Sequence, residues 1–296
     1  MTTATQPPRP PQQPAPTAST KGLLNPLATS RHVDLRRYPA SSQTGQFVER
    51  YWSVRWDVPA GETYEVQLIP HPCVNITFLP GAGGQVHGVG TRSWSRPLTG
   101  SGYVIGVKLR PGGFTAITGI AAATVTDRWV PLRDVFGPAV DDVAEEILTA
   151  PDDHSRVEFC DEFLRNRLPP ADQGYQLVLD MVATMLGSRT ITKVSQVAEL
   201  HGCSIRSVQR LFQRYVGVGP KWVIRRYRLH DAAEMLAADD TIDATTMAVE
   251  LGWFDQAHFI RDFNHVVGMT PGEYAAACAA GRDHVTRVPR ASEPDE

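Results

Sequence analysis

Between about residue 31 and residue 110, apolar side chains fall on every second position. Trp52, Val54 and Trp56 alternate with polar neighbours; so do Tyr64, Val66 and Leu68, then Val74, Ile76 and Phe78, then Tyr103, Ile105, Val107 and Leu109. A period of two sends successive side chains to opposite faces, so each run predicts a strand with one buried face. Gly81, Gly83 and Gly84 mark a turn, and Pro70, Pro72 and Pro80 punctuate strand ends. Several short strands in series predict an antiparallel barrel or sandwich.

After Pro111-Gly112-Gly113 the period lengthens. Helices are expected near 114–122, 139–149 and 155–168, the last with Val157, Cys160, Leu164 and Leu168 on one stripe. Pro169-Pro170 and Gly174 break the chain, and a domain boundary is expected there. From 175 onward every pattern is helical. Tyr175 to Leu186 is a first helix. A short second one opens at Thr192 or Ser195, with Val194, Val197 and Ala198 inward, and Gly202-Cys203 is a turn. Ser204 is suited to cap a third helix ending near Gly217. Pro220 opens a fourth that reaches about Ala238, some 27 Å long at about 1.5 Å per residue, with Trp222, Leu229, Ala233 and Leu236 as its buried stripe.

A second unit then begins at Asp243. Ala244, Met247, Ala248 and Leu251 share a helical face, Gly252-Trp253-Phe254 is the turn, and Asp255 caps the next helix. Thr270, Pro271 and Glu273 form a capping box for the last one. The two units repeat each other. Ser204 matches Asp255, Val208 matches Phe259, Arg210 matches Arg261, Phe212 matches Phe263, Gly217 matches Gly268 and Pro220 matches Pro271, always at an offset of 51. A repeat of the second half of a helix-turn-helix is the mark of two tandem units.

Composition adds limits. The chain has 296 residues, 42% of them hydrophobic and 21% charged, enough for two domains with real cores. No apolar run of about 18 residues occurs, so no membrane span is expected. The start lacks the apolar stretch of a signal peptide, and a cytoplasmic protein is expected. Residues 1–28, rich in Pro, Thr and Gln, are expected to be a disordered tail, as are residues 281–296. Four scattered cysteines suggest reduced thiols. The net charge is −3, yet Arg206, Arg210, Arg214, Lys221, Arg225, Arg226 and Arg228 follow one another with no acidic residue among them. That basic stripe fits a phosphate-facing surface.

A major groove admits one α-helix, whose N-terminal residues face base edges. Arg pairs with guanine and Gln with adenine, so Arg206, Gln209, Arg210 and Gln213 are outward candidates in the first unit. Gln256, His258, Ile260 and Arg261 are their counterparts in the second. The base-reading set is Arg206, Gln209, Arg210, Gln256, His258 and Arg261, and the phosphate set is Ser204, Arg214, Lys221, Arg225, Arg226 and Arg228. The fourth helix would space two readers about one DNA turn, about 34 Å, apart.

Residues 175–280 resemble the C-terminal DNA-binding domain of the AraC/XylS family of bacterial transcriptional regulators. The resemblance rests on Ala198, Ser204, Arg206, Arg210, Phe212, Gly217, Pro220 and Arg228-Leu229, then on Ala248, Gly252, Asp255-Gln256, His258-Phe259, Arg261, Phe263, Gly268 and Thr270-Pro271. It implies two helix-turn-helix units joined by a long helix, double-stranded promoter DNA and RNA polymerase as partners, and control of promoters, by activation or by repression. Asp262, Asn264 and His265-Val266-Val267 depart from the family pattern, so the second unit is expected to grip phosphate weakly and read fewer bases. Residues 29–169 are similar, through Tyr51-Trp52, the Leu68 to Pro72 segment, Val74 to Phe78 and Gly106 to Phe114, to a β-rich domain of unknown function that precedes the DNA-binding part in a subset of these regulators. That likeness implies sensing or dimerisation.

The fold expected is therefore α+β: an antiparallel barrel or sandwich with helices, then an all-α domain with two helix-turn-helix units. Two regulatory readings stand open, one with a small-molecule effector acting through the N-terminal domain, the other a constitutive DNA-binding protein whose N-terminal domain only docks a partner or a second subunit. The second is motivated by the stripe from Val157 to Leu168. A third reading puts zinc on His71, Cys73 and His87, with no fourth ligand close by. No nucleophile–base signature or phosphate loop is found, so neither an enzyme nor a cofactor is expected.

Overall fold

The computed structural model describes residues 22–24, 29–170, 172–239 and 244–286. Eight strands come first: β1 (Val33–Tyr38), β2 (Val48–Asp57), β3 (Tyr64–Leu68), β4 (Asn75–Leu79), β5 (Gly83–His87), β6 (Trp94–Leu98), β7 (Ser101–Leu109) and β8 (Trp129–Pro131). Six form one antiparallel sheet in the order β1-β2-β7-β4-β5-β8, while β3 and β6 pair only with each other. The sheet is open, a correction to the barrel alternative. Because β3 and β6 form a separate ribbon, no strand among the described residues joins β1 to β8. The turn expected at Gly81 to Gly84 is shorter than the glycines suggested, since β5 begins at Gly83. A Cβ on Gly84 would come 2.8 Å from the Leu132 side chain, so that glycine is there for packing.

The pleat of the large sheet separates two environments. Tyr51, Ile76, Phe78, Val86, Ile105 and Val107 point to one face and are buried with the helices that follow. These are α1 (Gly113–Thr118), α2 (Leu132–Phe136), α3 (Val140–Thr149) and α4 (Asp153–Arg165). Asp152 caps α4 by accepting from Ser155 N at 2.8 Å. The helix is fastened to β2 by polar contacts: Asp161 accepts from Tyr51 Oη at 2.8 Å, and Asp153 accepts from Ser53 Oγ at 2.8 Å. The stripe of Val157, Cys160 and Leu164 packs into this core, and Leu168 packs against the next one. It is not a free docking face.

Seven helices follow: α5 (Gln173–Gly187), α6 (Val194–Leu200), α7 (Ile205–Tyr215), α8 (Pro220–Ala238), α9 (Ala244–Glu250), α10 (Gln256–Val267) and α11 (Pro271–Thr286). The proposed start at Asp243 lies outside the described residues. Val208 and Phe212 are fully buried in the first unit, as are Phe259 and Phe263 in the second, which is the phase the repeat requires. The tails differ from expectation at two places. Gly22–Leu24 is held on β3, where Leu24 N donates to Gln67 O at 3.1 Å and Ile69 N donates to Gly22 O at 2.7 Å, and the apolar Leu24 is buried. At the other end α11 continues through residues 281–286, carried on from the strongly helix-forming run Ala275 to Ala280. The rest of both tails lies outside the described residues.

Candidate nucleic-acid interface

Each recognition helix is started by a side-chain cap. Ser204 Oγ accepts from Ser207 N at 3.1 Å, and Asp255 Oδ1 accepts from His258 N at 2.6 Å. With Val208 and Phe212 turned inward, Arg206, Gln209, Arg210 and Gln213 of α7 are all exposed. On α10, Gln256 and Arg261 are exposed, while His258 and Ile260 are half-buried. The six base-reading candidates thus lie on the outer faces of the two capped helices.

The phosphate set divides. Ser204, Arg214, Lys221 and Arg225 are exposed, whereas Arg226 is 2% and Arg228 8% accessible. Those two leave the phosphate set, because both side chains are spent on buried contacts. Arg228 donates from Nη2 to Ile191 O at 2.8 Å and from Nη1 to Gly252 O at 3.3 Å. Ile191 precedes α6 and Gly252 forms the turn of the second unit, so one guanidinium staples the two units. Burial lowers its pKa and Asp231 counters. Gly252 has φ +77, a conformation suited to glycine, and a Cβ there would come 3.4 Å from Arg228 Nη1.

Arg226 faces the other way, into the N-terminal domain. Its Nη2 donates to Thr91 O at 2.7 Å, its guanidinium lies 4.3 Å from the centre of the Trp222 ring, and Nη1 is buried without a hydrogen-bond partner. Burial pushes its pKa down to about 10, with Asp127 pulling it back up. Arg225, although exposed, pairs with Asp262 Oδ1. The same carboxylate accepts from Trp253 Nε1 at 2.9 Å and has His258 Nε2 at 3.3 Å. Asp262 therefore ties α10 to α8 and engages two of the side chains that the sequence offered to DNA.

The first unit is also gripped by the N-terminal domain. Thr115 Oγ1 donates to Arg214 O at 3.0 Å and Thr126 Oγ1 donates to Gly217 O at 2.9 Å. Tyr215 Oη donates to Asp172 Oδ2 at 2.7 Å, and Asp172 Oδ1 caps α5 through Gly174 N at 2.8 Å. Tyr175 stacks on Phe47 with ring centres 5.2 Å apart and donates to Gln46 O at 2.8 Å. On α8, His230 lies 4.2 Å from the His71 ring and hydrogen-bonds Ile69 O at 3.2 Å.

A cavity of about 470 Å³ lies between the large sheet and the β3–β6 ribbon. His71, Cys73 and His87 all line it, yet they do not form a metal centre: His87 Nε2 is 2.8 Å from Thr77 Oγ1, His71 lies against His230, and among the described residues no three His, Cys, Asp or Glu side chains group to hold a metal. No described helix is long and apolar enough to cross a membrane.

Comparison with known families agrees with this two-part layout. A helix-turn-helix domain family matches residues 197–277, which run from α6 through both recognition helices into α11. That stretch is similar to a helix-turn-helix domain. The chain's other match, a domain of unknown function (DUF6597), spans residues 36–131 and so covers the cavity-bearing sheet. A curated relative, an uncharacterised HTH-type transcriptional regulator of Haemophilus influenzae, is 26% identical over 102 residues, 34% of this chain. The match spans about a third of that relative, 34% of its length. Among solved structures, an AraC-type regulator from Chromobacterium violaceum is similar over 36% of this chain and 97% of its own at 24% identity, with a TM-score of 0.33. ToxT from Vibrio cholerae is similar over 83% of this chain and 98% of its own at 9% identity, with a TM-score of 0.40. A ToxT structure with bound unsaturated fatty acid covers 76% of this chain and 94% of its own at 11% identity, with a TM-score of 0.39.

The roles of Arg228 and Asp262 were not legible from sequence. For Arg228 a signal existed: it shares a helical face with the apolar Ile224 and Ala232 at a spacing of four. For Asp262 the only signal was its departure from the family pattern.

Proposed function

We propose that this protein is a sequence-specific regulator that inserts α7 and α10 into successive major grooves of promoter DNA, under the control of a small molecule held in its N-terminal domain. One observation carries the DNA half: two capped helices in fixed register present Arg206, Gln209 and Arg210, and Gln256 and Arg261, to solvent while their aromatic faces are buried. The spacer α8 has 19 residues, about 28 Å, close to the rise of one DNA turn. Ser204, Arg214 and Lys221 hold phosphate, and Arg225 joins them when Asp262 releases it. His258 reads a base on the same condition. In this reading RNA polymerase is the partner at the promoter, as the family likeness implies. The domain limits proposed are 29–169 and 175–280.

Ligand control is favoured over the constitutive reading by the position of the cavity. Two of the loops that wall it also touch α8: Ile69 and His71 meet His230, and Thr91, between lining residues Gly90 and Arg92, accepts from Arg226. A ligand that moves either loop moves the spacer between the two readers. The stripe that motivated the constitutive reading is core, and light scattering on the full chain reads whether two copies still pair. The testing experiment is a selection of genomic fragments by the full-length protein near physiological salt. Two half-motifs about ten base pairs apart are expected. Absence of any shared motif, with and without candidate metabolites, would reject sequence-specific reading.

A further inference from the structure

The cavity is polarised along its floor, and the polarity names a ligand class. Arg37, Trp52, Trp56, Arg50 and Lys108 come from three neighbouring strands of the large sheet and all line it. Their order follows from the register. Val33, Trp56 and Gly102 are cross-strand partners at one end, Arg37, Trp52 and Gly106 nearer the other, and Arg50 opposes Lys108 one row beyond. The glycines are required. A Cβ on Gly106 would come 2.2 Å from the Trp52 ring and one on Gly102 would come 2.3 Å from the Trp56 ring. Both indoles therefore lie directly on the β7 backbone, which makes a flat aromatic floor.

At the far end three cationic side chains, Arg37, Arg50 and Lys108, meet. Arg50 and Lys108 are 7% and 6% accessible and share one carboxylate, Glu49, at 3.2 and 3.0 Å. The Arg37 guanidinium makes no hydrogen bond or ion pair with the described residues, and its pKa is pushed down to about 10, chiefly by burial and then by the Arg50 charge, with Glu49 pulling it back up. Among the described lining residues the one acidic side chain, Asp127, is taken up elsewhere, accepting from Thr91 N and Thr91 Oγ1 at 2.6 Å each. A half-buried guanidinium with no partner of its own, as at Arg37, is costly, and an anion supplied by a ligand would offset that cost. A guanidinium matches a carboxylate with two parallel hydrogen bonds. The volume is in the range of small-molecule sites, about 300–1,000 Å³.

We infer that the cavity binds a small organic acid, a planar apolar body stacked on Trp52 and Trp56 with a single carboxylate paired to Arg37. This rests on the reading of the N-terminal domain as a sensor. The test is calorimetry on the full-length protein with biphenyl-4-carboxylate, its neutral amide and decanoate. The acid is expected to bind at least about tenfold more tightly than the amide and than decanoate. Arg37→Met, which keeps the apolar stem, is expected to lose about tenfold for the acid and nothing for the amide, a split that misfolding does not produce. Equal binding of acid and amide, an unchanged acid affinity in Arg37→Met, or no binding of the acid would overturn the inference. Tighter binding of decanoate would overturn its planar part. DNA affinity is measured in the same samples: an acid that binds through Arg37 without altering DNA affinity supports the ligand class and rejects the sensor reading.

Discussion

The two helix-turn-helix units share a register, a cap and a core phase, yet they present different chemistry. On α7 the outward Arg206, Gln209, Arg210 and Gln213 are exposed, and between 206 and 228 the sequence holds no carboxylate at all. On α10 Asp262, at the position matching the half-buried Leu211, already engages Arg225, His258 and the Trp253 indole. A carboxylate on the groove-facing helix repels phosphate and competes for nearby cations. On the proposed reading the same fold is tuned twice, once toward reading bases and once toward tying the second unit to α8. The first unit is also the one whose C-terminal carbonyls, at Arg214 and Gly217, are held by Thr115 and Thr126 of the N-terminal domain.

The strongest way to break this comparison is to remove what joins the units. Arg228→Ala leaves the carbonyls of Ile191 and Gly252 without their donor, and an unsatisfied buried polar group costs about 1–3 kcal/mol. Urea unfolding of the full chain is expected to lose about 3 kcal/mol on that scale. Next comes base reading. Arg210→Ala is expected to lose about 1–3 kcal/mol of discrimination between operator variants, more than Arg261→Ala loses. Equal loss on every sequence, measured by competition binding, would turn Arg210 into a phosphate contact.

Asp262→Asn sharpens the contrast. Its amide oxygen still accepts from Trp253 Nε1, while Arg225 and His258 are released. Non-specific DNA affinity is expected to rise, with the salt slope steeper by about 0.9 for each phosphate newly neutralised. Lys221→Ala is expected to change that slope by a similar amount in the other direction, with all sequences weakened alike. The smallest effect is acid sensitivity at Asp172. Its pKa is held below 3.8 chiefly by the Tyr215 hydroxyl, against a smaller desolvation effect and with help from the backbone N–H groups it caps. A depressed folded pKa contributes stability that is complete above the unfolded value, about 3.9, and is lost as pH falls through the lower folded one. Tyr215→Phe is expected to shrink that loss in unfolding curves followed against pH, by lowering stability at neutral pH while changing it little below the folded pKa.

Much of this architecture was readable because local rules and tertiary packing agreed. Ser204, Asp255 and Thr270 cap helices as their side-chain chemistry dictates, and Phe212 and Phe263 are buried because the period places them so. The alternation of Trp52, Val54 and Trp56 gave a strand but pointed its apolar face toward a presumed core, when that face is in fact the floor of a cavity. The true core face of β2 carries Tyr51 and Ser53, whose hydroxyls are paired with α4. Periodicity separates two faces and does not say which is filled. Arg226 and Arg228 were misread for a related reason: a cation's destination is set by carbonyls distant in sequence, here Thr91, Ile191 and Gly252.

The Arg228 staple has a consequence for the genome rather than for the protein. Because one side chain grips carbonyls from both units, the distance between the two readers behaves as a fixed gauge and not as a hinge. A single base pair inserted between the half-sites would shift the second one by about 3.4 Å and turn it by about 34°. A gauge of this kind tolerates changed letters at the second half-site far better than it tolerates changed spacing, so the operators of this regulator should diverge by substitution and keep their length.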